Sequence, residues 1–220
     1  AALAERPRLV WVESPSNPLL RIVDLRALSR LCRLHGALMT VDNTFLSPAL
    51  QNPISLGADI VVHSTTKFLN GHSDSVGGVA IVKHQKHAEW LQYVQNAIGA
   101  ILSPFDSWLT LRGTKTLPLR MKQHDLNGRA IGAWLLERLG EDRVIYPGLA
   151  HHPHHALAKR QMSGFGGMMT LDLKTIENAR KFLERVRVFS LAESLGGVES
   201  LTNHPFSMTH GSVPADIKIA

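Results

Sequence analysis

His63-Ser64-Thr65-Thr66-Lys67-Phe68-Leu69-Asn70-Gly71-His72-Ser73-Asp74, entered from the apolar run Ile60-Val61-Val62, is the stretch that decides how this chain folds. The β-branched run reads as a short buried strand, and the Ser/Thr-rich segment after it as a loop carrying a single lysine, Lys67. Upstream, residues 37–41 read as a second apolar strand that ends at Asp42, with Asn43 and Thr44 following. Leu9-Val10-Trp11-Val12 reads as a third, closed by Ser14-Pro15-Ser16-Asn17-Pro18. Asp24 is placed to cap a helix over residues 24–35, whose Leu25, Leu28, Leu31 and Cys32 recur with helical spacing, and Gly36 is placed to stop it. A short helix near residues 53–56 and a strand over 77–82 complete the pattern. Strands and helices that alternate in this way, with near-continuous apolar strands, predict an α/β fold built on a mostly parallel sheet.

Beyond this unit the pattern changes. Residues 86–97, 105–111 and 119–139 read as helices, followed by a strand near 143–146 and a loop over 148–155. Then come a strand over 168–173, a helix over 175–186 and short strands within 189–201. The expected organisation is a large α/β domain over residues 1–145 and a smaller, incomplete α+β domain over residues 146–220.

Ligands of open parallel sheets bind beyond the carboxyl ends of the strands. Asn17, Asp42 and the segment from Ser64 to Lys67 all follow strand ends. An amine, a carboxylate and two hydroxyls two residues apart (Ser64 and Thr66) form the donor set that suits pyridoxal 5′-phosphate, PLP. The lysine amine bonds to the cofactor's carbonyl carbon, the carboxylate keeps the pyridine nitrogen protonated, and the hydroxyls hold the phosphate. A lysine at its ordinary pKa of about 10.4 is a poor nucleophile at neutral pH, and burial corrects that by disfavouring the ammonium. The residues alone also admit a plainer account. An aspartate after a strand is a common turn former, and a lysine in a Ser/Thr-rich loop is commonly solvated.

Composition narrows the field. Apolar residues make up 44% and charged residues 19% of the 220, as in an ordinary globular protein. The formal charge of +6 is spread along the chain without a basic block, which favours small anionic ligands and gives no sign of a nucleic-acid partner. No apolar run is long enough to span a membrane, and the first residues lack the order of a signal peptide. The single cysteine, Cys32, rules out an internal disulfide and fits a reducing compartment such as the cytoplasm; its place in a helix reads as packing. His151, His152, His154 and His155 form a dense group that by residue type could bind a metal. The Gly/Ser/Asp-rich run after Asn70 lacks the spacing of a phosphate loop and reads as a turn beside the site.

The segments Glu13-Ser14-Pro15-Ser16-Asn17-Pro18, Val41-Asp42-Asn43-Thr44-Phe45 and His63 to Asp74 resemble the Cys/Met-metabolism family of PLP-dependent enzymes, the cystathionine γ-synthase and γ-lyase group. So do Gln161-Met162-Ser163-Gly164-Phe165-Gly166-Gly167-Met168 and Leu191-Ala192-Glu193-Ser194-Leu195-Gly196-Gly197. The resemblance runs in order from about Leu9 to Pro214 and implies the aspartate-aminotransferase-like fold, fold type I. It implies that Lys67 is the lysine that bonds to PLP, Asp42 the partner of the pyridine nitrogen, and Ser64 and Thr66 the phosphate-binding hydroxyls. Asn17 matches an asparagine near the cofactor's 3′-oxygen and the substrate carboxylate, Thr44 a threonine beside the ring, and Ser194 a residue near the substrate carboxylate. Glu193 matches the glutamate that holds the distal ammonium of cystathionine or cysteine in the γ-synthases and γ-lyases. Phe68 stands where many relatives have tyrosine. The stretch with His151, His152, His154 and His155 resembles the family's linker between domains, which implies that no metal is expected there.

The activity this implies is γ-replacement of an O-acylhomoserine by cysteine, with cystathionine as product. Alternatives are γ-elimination from cystathionine, O-acetylhomoserine sulfhydrylation and, in another class, a non-catalytic remnant or partner-dependent subunit. The resemblance further implies amino-acid substrates, a homotetramer in the cytoplasm, and relatives that begin earlier. The chain starts without methionine and ends after Ile217-Lys218-Ile219, and so reads as the centre of a longer enzyme. Its ring-stacking tyrosine and carboxylate-binding arginine are expected outside it.

Overall fold

A computed structural model describes residues 2–208; Pro214 and the closing Ile217-Lys218-Ile219 run lie outside the described residues. Four strands form the main sheet in chain order: β1 (Leu9–Glu13), β2 (Leu38–Asp42), β3 (Ile60–Ser64) and β4 (Gly78–Val82). β1, β2 and β3 are parallel, and β4 returns antiparallel to β3. The register pairs Glu13 with Asp42, and Asp42 with Val62. Three loops therefore leave the sheet at one level, the carboxyl edge of the parallel strands.

Helix α1 (Leu25–Leu34) crosses between β1 and β2. Asp24 caps it as its sequence predicts, accepting from the Ala27 N–H at 2.9 Å. Leu25 and Cys32 pack from α1 onto Met39, Val41, Val61 and Ala58, all close to full burial. Leu31, an apolar position in the same predicted stripe, instead faces out and is 47% exposed. The short helix α2 (Ser47–Leu50) and a 3-10 turn (Pro53–Leu56) connect β2 to β3.

Three further helices follow: α3 (Gln85–Ile98), α4 (Pro104–Thr114) and α5 (Leu117–Leu139). Each extends slightly past the bounds its sequence pattern predicts. Ser103 caps α4 by accepting from Asp106 N–H at 3.1 Å, and a proline occupies the first turn of both α4 and α5, where its missing donor costs nothing. Among the described residues, no helix is long and apolar enough to cross a membrane.

The last third is more irregular than its sequence predicts. The strand expected over 168–173 shrinks to β6 (Thr170–Leu171), whose only strand partner among the described residues is the two-residue β5 (Val144–Ile145). A helix absent from the sequence reading, α6 (His155–Gln161), follows the histidine-rich stretch. Helix α7 (Ile176–Arg185) begins at a Thr175 cap, and β7 (Ser190–Leu191) pairs in parallel with β8 (Leu201–Thr202).

Tyr146, Val144, Ala158 and Phe165 form a second core that also takes in Ile22 and Leu46. A chain of buried amides lies beside it. Gln161 Nε2 donates to Val23 O (3.0 Å) and Gln51 Oε1 (3.1 Å); Gln51 Nε2 donates to Asn43 Oδ1 (2.9 Å) and Ser14 O (3.0 Å). Asn43 sits directly after Asp42, so the network ties α6 to the carboxyl edge of the sheet.

Candidate active site

The carboxyl ends of β2 and β3 are stitched together by side chains. Asp42 Oδ1 accepts from the Thr44 N–H at 2.9 Å, which leaves Oδ2 of the carboxylate free of that turn. Thr44 Oγ1 accepts from the Ser64 N–H, also at 2.9 Å. Asp42, Thr44 and Ser64 are thus held in one group. His63 is buried next to them; burial lowers its pKa, and the Asp42 charge acts in the opposite direction.

After Ser64 the chain makes one wide turn over Thr65–Leu69. The Asn70 N–H reaches back to the Thr65 carbonyl at 3.0 Å, closing the larger ring of a π-type turn, a form associated with functional sites. Lys67 lies inside it at φ −91° and ψ −131°, away from helical values. This break aims its side chain off the turn axis, and Nζ donates to Ser194 Oγ at 2.7 Å. Burial pushes the Lys67 pKa down, while the nearby Glu193 carboxylate acts the other way. The result is an amine that holds its proton less tightly than a free lysine, so more of it is in the neutral, nucleophilic form.

Glu193 and Ser194 come from the loop after β7, brought over Lys67 by a close backbone approach. Gly196 has φ +85°, and a Cβ there would stand 2.5 Å from Phe68 N and 2.7 Å from Lys67 C. Only glycine allows this loop to lie on the lysine turn.

Thr66 Oγ1 accepts from Gly77 N–H at 3.0 Å and points its own proton at Gly77 O, 3.4 Å away. That second contact is long, and its proton is easily redirected to an anion. Asn17 is exposed on the same sheet edge, its N–H on Glu13 Oε2 at 3.2 Å; it is linked to the group by the shared edge and not by a hydrogen bond among the described residues.

A cavity of about 760 Å³ opens beside the lysine turn, with Thr66, Asp74, Ser75, Glu193, Ser194 and Glu199 among its walls. Ser75 Oγ is buried in that wall without a hydrogen-bond partner among the described residues. The loop after Asn70 is therefore a wall of the site, pinned by Asn70 Nδ2 to Asp74 Oδ1 at 2.6 Å, as its sequence suggests. The histidine group is consumed by the fold. His151 Nε2 and His155 Nδ1 meet the carbonyls of Val144 and Pro147, and His154 Nδ1 accepts from Ile22 N–H.

The residues present fit PLP: a depressed-pKa amine, a carboxylate one strand away, a hydroxyl on the amine's own turn and another at the strand end just before it, and on the adjoining wall a buried hydroxyl without a partner among the described residues. Comparison with known proteins agrees. The family model for Cys/Met metabolism PLP-dependent enzymes matches residues 1–220. The chain belongs to this family. It is 51% identical to cystathionine gamma-lyase of Dictyostelium discoideum, over 98% of this chain and 56% of that protein. It is 52% identical to cystathionine beta-lyase of Coxiella burnetii, over 97% of this chain and 56% of that one. Among solved structures, cystathionine gamma synthase of Xanthomonas oryzae pv. oryzae, in complex with aminoacrylate and cysteine, superposes with a TM-score of 0.93 at 52% identity, covering 98% of this chain and 56% of that one. The fold is thus that of the family's PLP-dependent synthases and lyases, and the chain spans a little over half the length of the relatives it matches.

Sequence reasoning missed two participants. Gly196 lies in a motif the sequence flags, but its contact with Lys67 is a tertiary fact. Arg120, which grips the lysine turn from α5, has no local signal beyond being a basic residue on a helix.

Proposed function

We propose that the protein is a PLP-dependent trans-sulfuration enzyme whose reaction is γ-replacement of an O-acylhomoserine by cysteine, giving cystathionine. The observation that carries this reading is the junction of Lys67 with Glu193 and Ser194, two residues of the cavity wall. Bound PLP supplies an electron sink that acidifies the Cα and Cβ protons of an amino acid attached to it. Asp42 would keep the pyridine nitrogen protonated, Ser64 and Thr66 would hold the phosphate, and Thr44 would sit beside the ring. Lys67, with its pKa lowered by burial, takes and returns protons at Cα and Cβ. Asn17 and Ser194 receive the substrate carboxylate, and Glu193 receives the ammonium of the incoming amino acid. The cavity's carboxylates suit ligands that carry ammonium groups.

A second reading, γ-elimination from cystathionine, is favoured by the likeness to the Dictyostelium gamma-lyase, and the same residues serve it. The reading includes a domain boundary near residue 145, a cytoplasmic location, and a homotetramer. Exposed Trp90, Tyr93, Phe105 and Trp108 on α3 and α4 support burial in an assembly.

The test is the visible spectrum of the full-length protein with PLP, before and after borohydride, beside Lys67→Ala. A band that reduction fixes on the Lys67 peptide, and that the variant lacks, supports the reading; no band in the wild type ends it. O-acylhomoserine with cysteine, against cystathionine alone, then separates synthase from lyase.

A further inference from the structure

The wide turn that carries Lys67 ends without the hydrogen bonds a longer helix would give it. Asn70 N–H and Gly71 N–H turn back to Thr65 O and Lys67 O, so the carbonyls of Phe68 and Leu69 have no main-chain donor from that turn. Both residues are buried, Phe68 at 2% and Leu69 at 8% exposure, and buried carbonyls need partners. One side chain meets both. Arg120, in the first turns of α5, donates from Nη1 to Phe68 O (2.7 Å) and from Nη2 to Leu69 O (3.3 Å).

The other donors of the same guanidinium fix it to the α4–α5 corner. Nη2 also donates to Gly113 O at 2.8 Å, and Nε to Thr116 Oγ1 at 3.1 Å. The fork is planar and rigid, so the positions of two carbonyls on the lysine turn are set relative to the helix pair. One turn further along α5, His124 meets the Phe68 ring edge-on at 5.1 Å. Space is kept for the grip: Gly71 has φ +73°, and a Cβ there would collide with the Arg120 guanidinium.

We propose that Arg120 is the positioning residue for Lys67, holding the peptide groups that directly follow the lysine so that its Nζ is presented to Ser194 and the cavity. Arg120 touches none of the reacting groups. It acts by keeping the lysine in its non-helical conformation, which the wide turn does not enforce alone. Without the guanidinium, the turn's two buried carbonyls seek other donors, the 68–69 peptides rotate, and Nζ moves with them. The inference rests on the reading of Lys67 as the residue that bonds PLP.

The experiment compares Arg120→Gln and Arg120→Lys with wild type in the full-length protein, using four readouts: thermal unfolding, PLP affinity by titration of the visible band, the pH midpoint of that band, and the rate of reductive methylation of Lys67 in cofactor-free protein, read by peptide mass. Arg120→Gln is expected to shift the spectral midpoint, to weaken PLP binding by about tenfold or more, and to change the methylation rate of Lys67 while leaving that of Lys181 unchanged. Arg120→Lys, which meets fewer of the carbonyls, is expected to fall between the two and serves as the folded comparison should the glutamine variant fail to fold. A lower unfolding temperature with an unshifted midpoint and an unchanged Lys67 rate overturns the proposal, leaving Arg120 a structural clamp only. Failure of the wild type to trap PLP on Lys67 overturns the functional reading instead, and the methylation rates still decide whether Arg120 sets the lysine.

Discussion

Lys67 Nζ stands 2.7 Å from Ser194 Oγ, although 127 residues separate the two in the chain. Ser194 holds that position at φ +82°, in the left-handed region that a side chain makes unfavourable. Hydroxyl and strain can be separated by two substitutions. Ser194→Ala removes the hydroxyl and keeps the strain, whereas Ser194→Gly removes both. The glycine variant is expected to be more stable than the alanine variant by about 1 kcal/mol in urea unfolding. Both are expected to lose kcat/KM alike, by about tenfold, because the lost hydrogen bond is the same. Equal stability of the two variants would show that Ser194 bears no backbone strain.

Gly196 makes the junction possible. Gly196→Ala puts a methyl group 2.5 Å from Phe68 N and also incurs the cost of φ +85°. Either the loop with Glu193 and Ser194 lifts or the lysine turn shifts, and each separates Ser194 from Nζ. The expected cost is about 2 kcal/mol or more, with loss of the borohydride-trapped PLP. Retention of wild-type trapping by a folded Gly196→Ala protein would mean that the loop is free to move away without disturbing Lys67.

What the sequence made legible follows the range of the interactions. Asp42, Thr44, Ser64 and Lys67 lie at strand ends, and the period of the apolar runs marked those ends within a residue or two. Helices α3, α4 and α5 were legible within a few residues, and α4 and α5 carry a local signal in their first-turn prolines. Strands β5 and β6 were read at the right places but too long, since strand length there is set by the partner and not by the segment itself. Helix α6, only 7 residues long, hid behind a histidine-rich start. Glu193 and Ser194 were placed beside Lys67 by family resemblance alone, for no pattern in either segment points to the other. Arg120 escaped notice because its acceptors are main-chain carbonyls, which leave no mark on the residue types around them.

The amide chain linking α6 to the sheet edge predicts coupling. Gln161→Met removes the donors to Val23 O and Gln51 Oε1 and the acceptor for Leu25 N–H, and is expected to cost about 2 kcal/mol. Gln51→Met strands Asn43 Oδ1 and Ser14 O in the same way. Since both variants break the Gln161–Gln51 bond, the double variant is expected to cost less than the sum of the singles by about 1 kcal/mol in a denaturation cycle. Strict additivity would mean that the two amides act independently.

His152 predicts how stability depends on pH. Its ring is only 5% exposed, and Nδ1 accepts from the His154 N–H at 3.2 Å. Burial, and then the neighbouring His154, His151 and His155, lower its pKa to about 4 from an ordinary 6.5, against the opposing hydrogen bond with Leu20. The unfolded chain therefore binds a proton at this site before the folded chain does, and between these two values the unfolded state carries the larger share of protons. Stability from this group is complete above about pH 6.5, falls as pH drops, and stops falling below about pH 4. Urea unfolding across that window is expected to show a slope that His152→Gln flattens, the glutamine having no proton to gain. An unchanged slope in the variant would assign the acid sensitivity to other groups, such as the buried His63 and the half-buried His124, whose pKa values burial also lowers.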